Sequence, residues 1–360
     1  MVDDGGDGVF GPGDRLLFYA QGLPTRFWDS TQFYLFKNPY TDTVVYWVAV
    51  GFEGEPLEPE RVDASPRGNP PLDWHEGFAH HERDLFVPGK KGLVWVGETM
   101  ELPSSANEAR YEFRLNLKDV AEGEGWVEVS VAGAETYGRA TVDLYLNGLD
   151  NYLGRFTTSP SYRTVSRFEA QGFKEGDNTL IINLVRSDTM RHEVYLDYID
   201  LSYPRRNRFS GELHLRWSQL QGWFDITLEG SRPVFAWDVT DPEKPKLLKN
   251  FSWSSGKTVL SDSVFPGKHI YLTTFTRKPP YLRVLSMARN LRDTSLGADL
   301  KKIPQGPGPY LMDLNGILNS ATRVSPLRRA APSQTPSQLM SQSPPLIRAS
   351  SWSPAAERAK

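Results

Sequence analysis

Gly176-Asp177-Asn178-Thr179-Leu180-Ile181-Ile182-Asn183-Leu184 launches an apolar run from a tight turn, and Glu193-Val194-Tyr195-Leu196-Asp197-Tyr198-Ile199-Asp200-Leu201-Ser202-Tyr203 follows shortly after it. Both stretches are rich in the β-branched and aromatic residues that suit a pleated surface, and neither has the 3.6-residue spacing of an amphipathic helix. In the second, Val194, Leu196 and Tyr198 share one face of an extended chain and Tyr195, Ile199 and Leu201 the other, which predicts a strand covered on both sides. On the same period-two reading Asp197 and Asp200, three apart, point to opposite faces, so they are not read as a paired acid and base. Upstream, Thr141–Leu146 alternates and ends in Asn147-Gly148, a pair suited to a two-residue type I′ hairpin because both positions need positive φ.

Further outward the same pattern recurs. Strands are predicted at Asp14–Ala20, Gln32–Phe36, Thr43–Gly51, Arg110–Leu117, Trp126–Ala132, Tyr162–Glu169, Phe209–Leu215, Trp223–Leu228, Pro233–Asp238 and His269–Thr276, most of them bounded by Gly, Pro, Asn or Asp. The fold class is therefore all-β, with tandem β-sandwich domains and few helices. A β-region occupies 1–99, with the Pro-rich stretch 57–81 read as a long surface loop. Residues 100–205 form a jelly-roll β-sandwich, because about eight strands of this kind close into two sheets. A small β-domain spans 207–285. The jelly roll resembles the galactose-binding-like fold, whose closing strands carry a similar turn and a similar Tyr-Leu-Asp-Tyr-Ile string. That fold hosts sugar binders and purely structural domains alike, so it decides no function.

Composition narrows the classes. The 360 residues hold 41 Lys and Arg against 44 Asp and Glu, a formal charge of −3, which argues against a basic nucleic-acid binder. With 39% hydrophobic residues and no apolar run of membrane-spanning length, the chain should bury a real core without crossing a bilayer by a helix. Cysteine is absent, which removes thiol nucleophiles, disulfides and Cys-ligated zinc at once. The start, Met1-Val2-Asp3-Asp4-Gly5-Gly6-Asp7, has neither the basic nor the apolar region of a signal peptide. Residues 321–360 change character, with six basic residues against the single acid Glu357 and many Ser, Pro and Ala. This basic Ser/Pro-rich tail is expected to be disordered. It reads either as an interaction tail or, the preferred reading, as a non-native end left by a frameshift or truncation.

Several strings occur in a fixed order: Asp14-Arg15-Leu16-Leu17-Phe18-Tyr19-Ala20-Gln21-Gly22, Asn38-Pro39-Tyr40 with Tyr46-Trp47, and His81-Glu82-Arg83-Asp84 before Trp95-Val96-Gly97-Glu98. They are followed by Tyr195–Tyr203 and Trp237-Asp238-Val239-Thr240-Asp241-Pro242. Together they resemble the non-catalytic N-terminal β-region of gingipain-like cysteine peptidases, most closely the cell-surface sortases of the type IX secretion system of Bacteroidetes. The resemblance covers roughly residues 3–300. It implies a secreted protein at the extracellular or outer-membrane surface, with a downstream caspase-like peptidase domain and other secretion-system surface proteins as partners. Residues 286–320 resemble a truncated approach to that domain, but Lys301–Tyr310 is rich in Pro and Gly where an apolar parallel strand should begin, and no Cys follows.

The site candidates are few. Asp3-Asp4-Gly5-Gly6-Asp7-Gly8-Val9-Phe10-Gly11-Pro12-Gly13-Asp14 matches a twelve-residue calcium loop, with Asp3, Asp7 and Asp14 supplying oxygens, Val9 its carbonyl and Gly8 the sharp turn. Gly5 removes one carboxylate and Asp14 is shorter than the usual Glu, so a solvated acidic turn is preferred and calcium stands as the candidate cofactor. His75, His80 and His81 gather with Glu76, Glu82 and Asp84, yet without the helical spacing of a zinc peptidase, and are read as a solvated loop. Trp28, Trp74, Trp217 and Trp223 are candidate sugar platforms, though aromatics in β-proteins more often pair in the core. No Gly-x-Ser-x-Gly elbow and no phosphate loop occurs. Two functions stay open: a structural and docking region for a cysteine peptidase, and a carbohydrate-binding jelly-roll module.

Overall fold

The computed structural model describes residues 2–3, 15–38, 41–46, 58–88, 95–134, 139–159, 163–186, 188–275 and 310–313. In chain order the strands are β1 (Val2–Asp3), β2 (Arg15–Ala20), β3 (Thr25–Trp28), β4 (Phe33–Phe36), β5 (Arg61–Asp63), β6 (Pro71–Leu72), β7 (Trp74–Glu82) and β8 (Thr99–Leu102). Next come β9 (Glu108–Leu117), β10 (Gly125–Gly133), β11 (Thr141–Leu146), β12 (Tyr152–Thr157), β13 (Arg163–Ala170), β14 (Gly176–Val185), β15 (His192–Arg206) and β16 (Arg208–Phe209). The last are β17 (Glu212–Trp217), β18 (Gly222–Gly230), β19 (Phe235–Asp238), β20 (Lys246–Lys249), β21 (Ser252–Ser254), β22 (Lys257–Val264), β23 (Lys268–Thr273) and β24 (Tyr310–Asp313). The fold is all-β, and among the described residues no helix is long and apolar enough to cross a membrane.

The chain divides into two compact units, each assembled from separated segments. One takes Met1–Asp63, Pro233–Asn250 and His269–Lys360, the other Ala64–Arg232 and Phe251–Lys268. Residues 64–99 thus share a unit with the stretch 100–205, and 207–285 is divided between the two units.

The larger unit contains the jelly-roll sandwich. One sheet runs β13-β10-β15-β7, with β8 also on β15, and the other runs β12-β11-β14-β9. Alternation explains why they stack: Val127, Val129 and Val131 from β10 meet Val142, Leu144 and Leu146 from β11, Leu180, Ile182 and Leu184 from β14, and Phe113, Leu115 and Leu117 from β9 in one core. Each such side chain contributes about 1.5–3 kcal/mol by leaving water. A further sheet of this unit runs β16-β18-β22-β21, with β6 lying parallel on β18. The smaller unit holds β1-β2-β24, the hairpin β3-β4 and the run β23-β19-β20-β5, around a core of Leu17, Tyr19, Trp237, Val239, Leu247 and Tyr271.

Four expectations are corrected. The stretch 57–81 is not a loop, since it carries β5, β6 and most of β7. The core side of β7 is His75 and Gly77, residues that hide its alternation, and Gly77 is needed because a Cβ there would come within 2.6 Å of the Tyr203 ring. Asn147-Gly148 does not form a two-residue turn; Leu146 donates its N–H to the Asn151 carbonyl at 3.0 Å, closing a four-residue loop. Asn147 instead accepts the Thr179 N–H at 2.9 Å and donates to the Gly172 carbonyl at 3.0 Å, locking the start of β14. The strand expected at Phe209–Leu215 breaks at Gly211, φ 123°, into β16 and β17. Thr43 to Tyr46 lie in no strand, and Trp47–Gly51 fall outside the described residues. Of 286–320 only Tyr310–Asp313 is described, paired antiparallel to β2, and 321–360 lies outside the described residues.

Candidate functional site

Residues directly opposite one another in a ladder share a face. Val127 opposite Leu201, Val129 opposite Ile199 and Val131 opposite Leu196 line the core, so Glu128 opposite Asp200 and Ser130 opposite Tyr198 line the outer face of the sheet. Between Ser130 and Val131 the register slips, leaving Asp197 as the extra residue of a β-bulge. The bulge shifts the period by one, so core residues on β15 run Val194, Leu196 and then Ile199, Leu201, Tyr203. Asp197, Tyr198 and Asp200 therefore lie together on the outer face, which corrects the expectation that the two aspartates point apart.

The neighbouring strands complete the surface. On β7, His80 stands opposite Asp200, Glu82 opposite Tyr198 and Phe78 opposite Ser202; on β13, Arg167 stands opposite Glu128. Arg167 Nη2 lies 2.8 Å from Glu128 Oε2, and the Tyr198 hydroxyl donates to Glu128 Oε1 at 2.8 Å. Asp197 Oδ2 receives the Ser130 hydroxyl at 2.7 Å, and Arg163 Nε, which donates to Ser130 Oγ at 2.7 Å, pairs with Asp197 Oδ2 at 2.8 Å. His80 Nδ1 lies 2.9 Å from Asp200 Oδ1, and its Nε2 lies 2.8 Å from Glu82 Oε2. The Arg167 guanidinium sits 3.8 Å above the Trp126 ring, and Arg163 lies 5.0 Å from the Tyr198 ring centre. Burial, followed by the Glu128 carboxylate, raises the Tyr198 phenol well above its ordinary value. Burial raises the Glu76 carboxyl too, against the Ser218 N–H and hydroxyl that bond it. The face is a lattice of paired charges across four strands, and Val165, opposite Ser130, is an exposed apolar side chain on it.

The residues singled out from sequence are distributed as follows. Asp3 lies in β1 with its backbone opposite Arg15, whereas Asp7, Val9 and Asp14, with Gly5 and Gly8, lie outside the described residues. The histidines belong to a strand, not a solvated loop. His75 and His81 take its core side and His80 the outer side, because β7 is extended. His75 is fully buried, with Nδ1 2.8 Å from Asn207 Oδ1; burial lowers its pKa to about 3. His81 Nε2 lies 3.3 Å from Glu98. Among the described residues no group of His, Asp or Glu forms a metal cluster. Trp217 is buried, donating Nε1–H to the Trp74 carbonyl at 3.0 Å. Trp28 packs on Phe33, and Trp223, 51% exposed, lies under Arg67. Arg163, Arg167, Trp126, Glu128 and Ser130 escaped sequence reading, and Tyr198, expected on the face of Val194 and Leu196, is turned to the outer face by the bulge. The signal for β10 was present in Trp126, Glu128 and Ser130 interleaved with valines, but the partners of that polar face depend on strand pairing.

At one end of the sandwich a cleft of about 530 Å³ opens between the loops around Glu122 and Gly172, lined by Glu122, Glu124, Gln171, Phe173 and Glu175. Its volume suits a small ligand. Its aromatic, Phe173, is turned against Tyr203, with ring centres 6.3 Å apart.

Sheet order and outer face define a multi-sheet all-β protein built around a jelly roll. The chain is similar in fold to dimeric latent PorU from Porphyromonas gingivalis, at a TM-score of 0.51 and 15% identity, over 74% of this chain and 27% of PorU. It spans about a quarter of that protein's length. Fainter likenesses are to the CBM36-1 domain of a multidomain xylanase from the hindgut metagenome of Trinervitermes trinervoides (TM-score 0.24, 15% identity, 35% of this chain and 95% of that one) and to carbohydrate-binding module CBM36 in complex with calcium and xylotriose (TM-score 0.23, 19% identity, 34% and 98%). Those two are too slight to bear on function. No protein-family model matches the chain, and no curated protein sequence matches it.

Proposed function

We propose that this chain is the non-catalytic structural and docking region of a gingipain-like secreted cysteine peptidase, similar to the type IX secretion sortases and placed at the extracellular or outer-membrane surface. The fold likeness to PorU across 74% of the chain carries this reading, and the ordered strings from Asp14 to Pro242 support it. The partner is a caspase-like domain that supplies the His and Cys, with other secretion-system surface proteins beyond it. A thiolate attack needs a cysteine beside a base, and these 360 residues hold no cysteine. The purified chain is therefore expected to cleave no peptide substrate with or without added thiol; activity abolished by a point substitution within the chain would overturn this. The docking claim is tested by reading the coding DNA on both sides in every frame. An α/β domain with His and Cys is expected, and its recombinant product should bind this chain in calorimetry. Absence of such a domain on both sides, or no binding, refutes the reading.

The cleft beside Glu122 favours a second reading, a carbohydrate-binding jelly-roll module. Its expected signature is a set of amide shifts confined to Glu122, Gln171 and Phe173 when a soluble oligosaccharide is titrated in. Sugar stacking needs exposed aromatic faces; here Phe173 is engaged, so the docking reading is preferred.

Calcium at Asp3, Asp7, Val9 and Asp14 belongs to the proposal as well. In support, the Asp3 backbone pairs with that of Arg15, the residue that follows Asp14 in sequence. Three carboxylates place the affinity at the weak end, roughly 10⁻⁴–10⁻³ M. Calcium at about 10 mM, ten times the weak limit of that range, should raise the melting temperature of the native chain and leave Asp7→Ala unmoved. An unchanged native melting curve strikes calcium out.

A further inference from the structure

His80 is bonded through both ring nitrogens to carboxylates, at 2.9 Å to Asp200 on β15 and 2.8 Å to Glu82 on its own strand. A neutral imidazole has one N–H, so it can donate to one carboxylate and must turn a lone pair on the other; only the doubly protonated ring donates to both. The charged and titratable groups nearest to it on that face are Glu76 and Glu82 on β7, Asp197, Tyr198 and Asp200 on β15, Glu128 on β10, and Arg163 and Arg167 on β13, with Glu169 on β13 and Arg206 on β15 further along the same face. The two arginines are engaged by Asp197 and Glu128. The phenol of Tyr198 is uncharged across the neutral range, since its pKa is raised. The balance around the ring is therefore anionic.

We propose that His80 is an imidazolium clasp joining β7 to β15, and that it makes this seam pH-sensitive, tight in mildly acidic medium and weakened as the medium turns alkaline. Burial opposes the charged ring, but the bonds and charges of Asp200 and Glu82 outweigh it and raise the pKa of His80 above 6.5. A raised histidine adds stability that is fully present below 6.5 and is lost as pH rises through the folded-state value. His75, five residues earlier on the same strand, has the opposite bias, because it is buried neutral and resists protonation. The two histidines bracket a pH window within which β7 is held firmly, and together they limit its attachment on both sides.

The test is a ring-resolved NMR titration of the full chain from about pH 5 to pH 9, with urea unfolding of the native chain and His80→Gln across the same range. His80 should carry protons on both nitrogens near pH 6 and titrate above 6.5, and Asp200→Asn should lower that midpoint by about a unit. The stability advantage of the native chain over His80→Gln should shrink as pH rises. A His80 midpoint at or below 6.5, or an advantage that does not change with pH, overturns the proposal. The native titration decides the matter even where the variants fold poorly.

Discussion

Lowering the pH from 7 to about 4 is expected to remove roughly 3 kcal/mol of folding stability through His75 alone, because each pH unit below the unfolded pKa costs about 1.4 kcal/mol per resisting histidine. The argument starts from Asn207. Its Nδ2 donates to the carbonyls of Leu72 and Thr227, both at 3.1 Å, which fixes the amide so that Oδ1 faces His75 at 2.8 Å. His75 must then carry its proton on Nδ1 and remain neutral, 1% exposed. Burial first, and then the Arg205 and Arg216 charges, outweigh the Asn207 bond and lower its pKa from 6.5 to about 3. Below 6.5 the unfolded chain binds a proton that the folded chain refuses, so stability present above 6.5 is lost as pH falls toward 3. His214 is pushed the same way by burial, Arg216 and His75. Against a typical total of about 5–15 kcal/mol, this is a large share. Urea midpoints at pH 7, 5 and 4 should fall steeply for the native chain and less steeply for His75→Gln, whose amide does not titrate. Equal slopes for the two would show that His75 takes no part in acid sensitivity.

The strand that carries both titrating histidines is also the strand that sequence reading mistook for a loop, and the cause is physical. Period-two reading works where the core face is aliphatic, as on β10, where Val127, Val129 and Val131 alternate with Trp126, Glu128 and Ser130. On β7 the core face offers His75 and Gly77, one polar and one without a side chain, because Asn207 satisfies the imidazole and the Tyr203 ring needs the space of the glycine. Neither condition can be read from residues 74–82 alone. The short strands β5 and β6 are invisible for a related reason: each is a parallel addition to a strand far along the chain, β20 and β18, and has no periodicity of its own.

The candidate site was legible in parts. Asp197 and Asp200 were singled out, but their relative direction turned on a bulge, which is a property of two paired strands and not of one string. Trp217 was weighed as a sugar platform, with a place in the core preferred, and it is buried; the Trp74 carbonyl accepts its indole N–H and lets the ring go inside. The order of strings from Asp14 to Pro242, by contrast, led to the same fold likeness that the PorU comparison gives.

Lys268→Ala is expected to destabilise the chain by about 3–5 kcal/mol, the range for removing one partner of a buried ion pair. Lys268 Nζ lies 2.9 Å from Asp262 Oδ2, with the residues 2% and 6% exposed, and 5.4 Å from the Phe265 ring. Two charges taken out of water lose most of their mutual attraction to desolvation, so the pair as a whole is worth little against apolar residues of like size. Deleting one member is different, because the Asp262 carboxylate stays buried with its countercharge gone. The Ser263 N–H, which donates to Asp262 Oδ1 at 2.8 Å, offsets a fraction of that penalty. Lys268→Met combined with Asp262→Leu should therefore be far less harmful than the sum of Lys268→Ala and Asp262→Ala, and a double-mutant cycle on the two alanine substitutions should show strong coupling. Urea unfolding of the four chains of the cycle and of the Lys268→Met, Asp262→Leu variant measures this directly. If the alanine effects simply add, or if Lys268→Ala costs less than about 1 kcal/mol, the level of an exposed surface pair, the two side chains are solvated and the buried pair does not form.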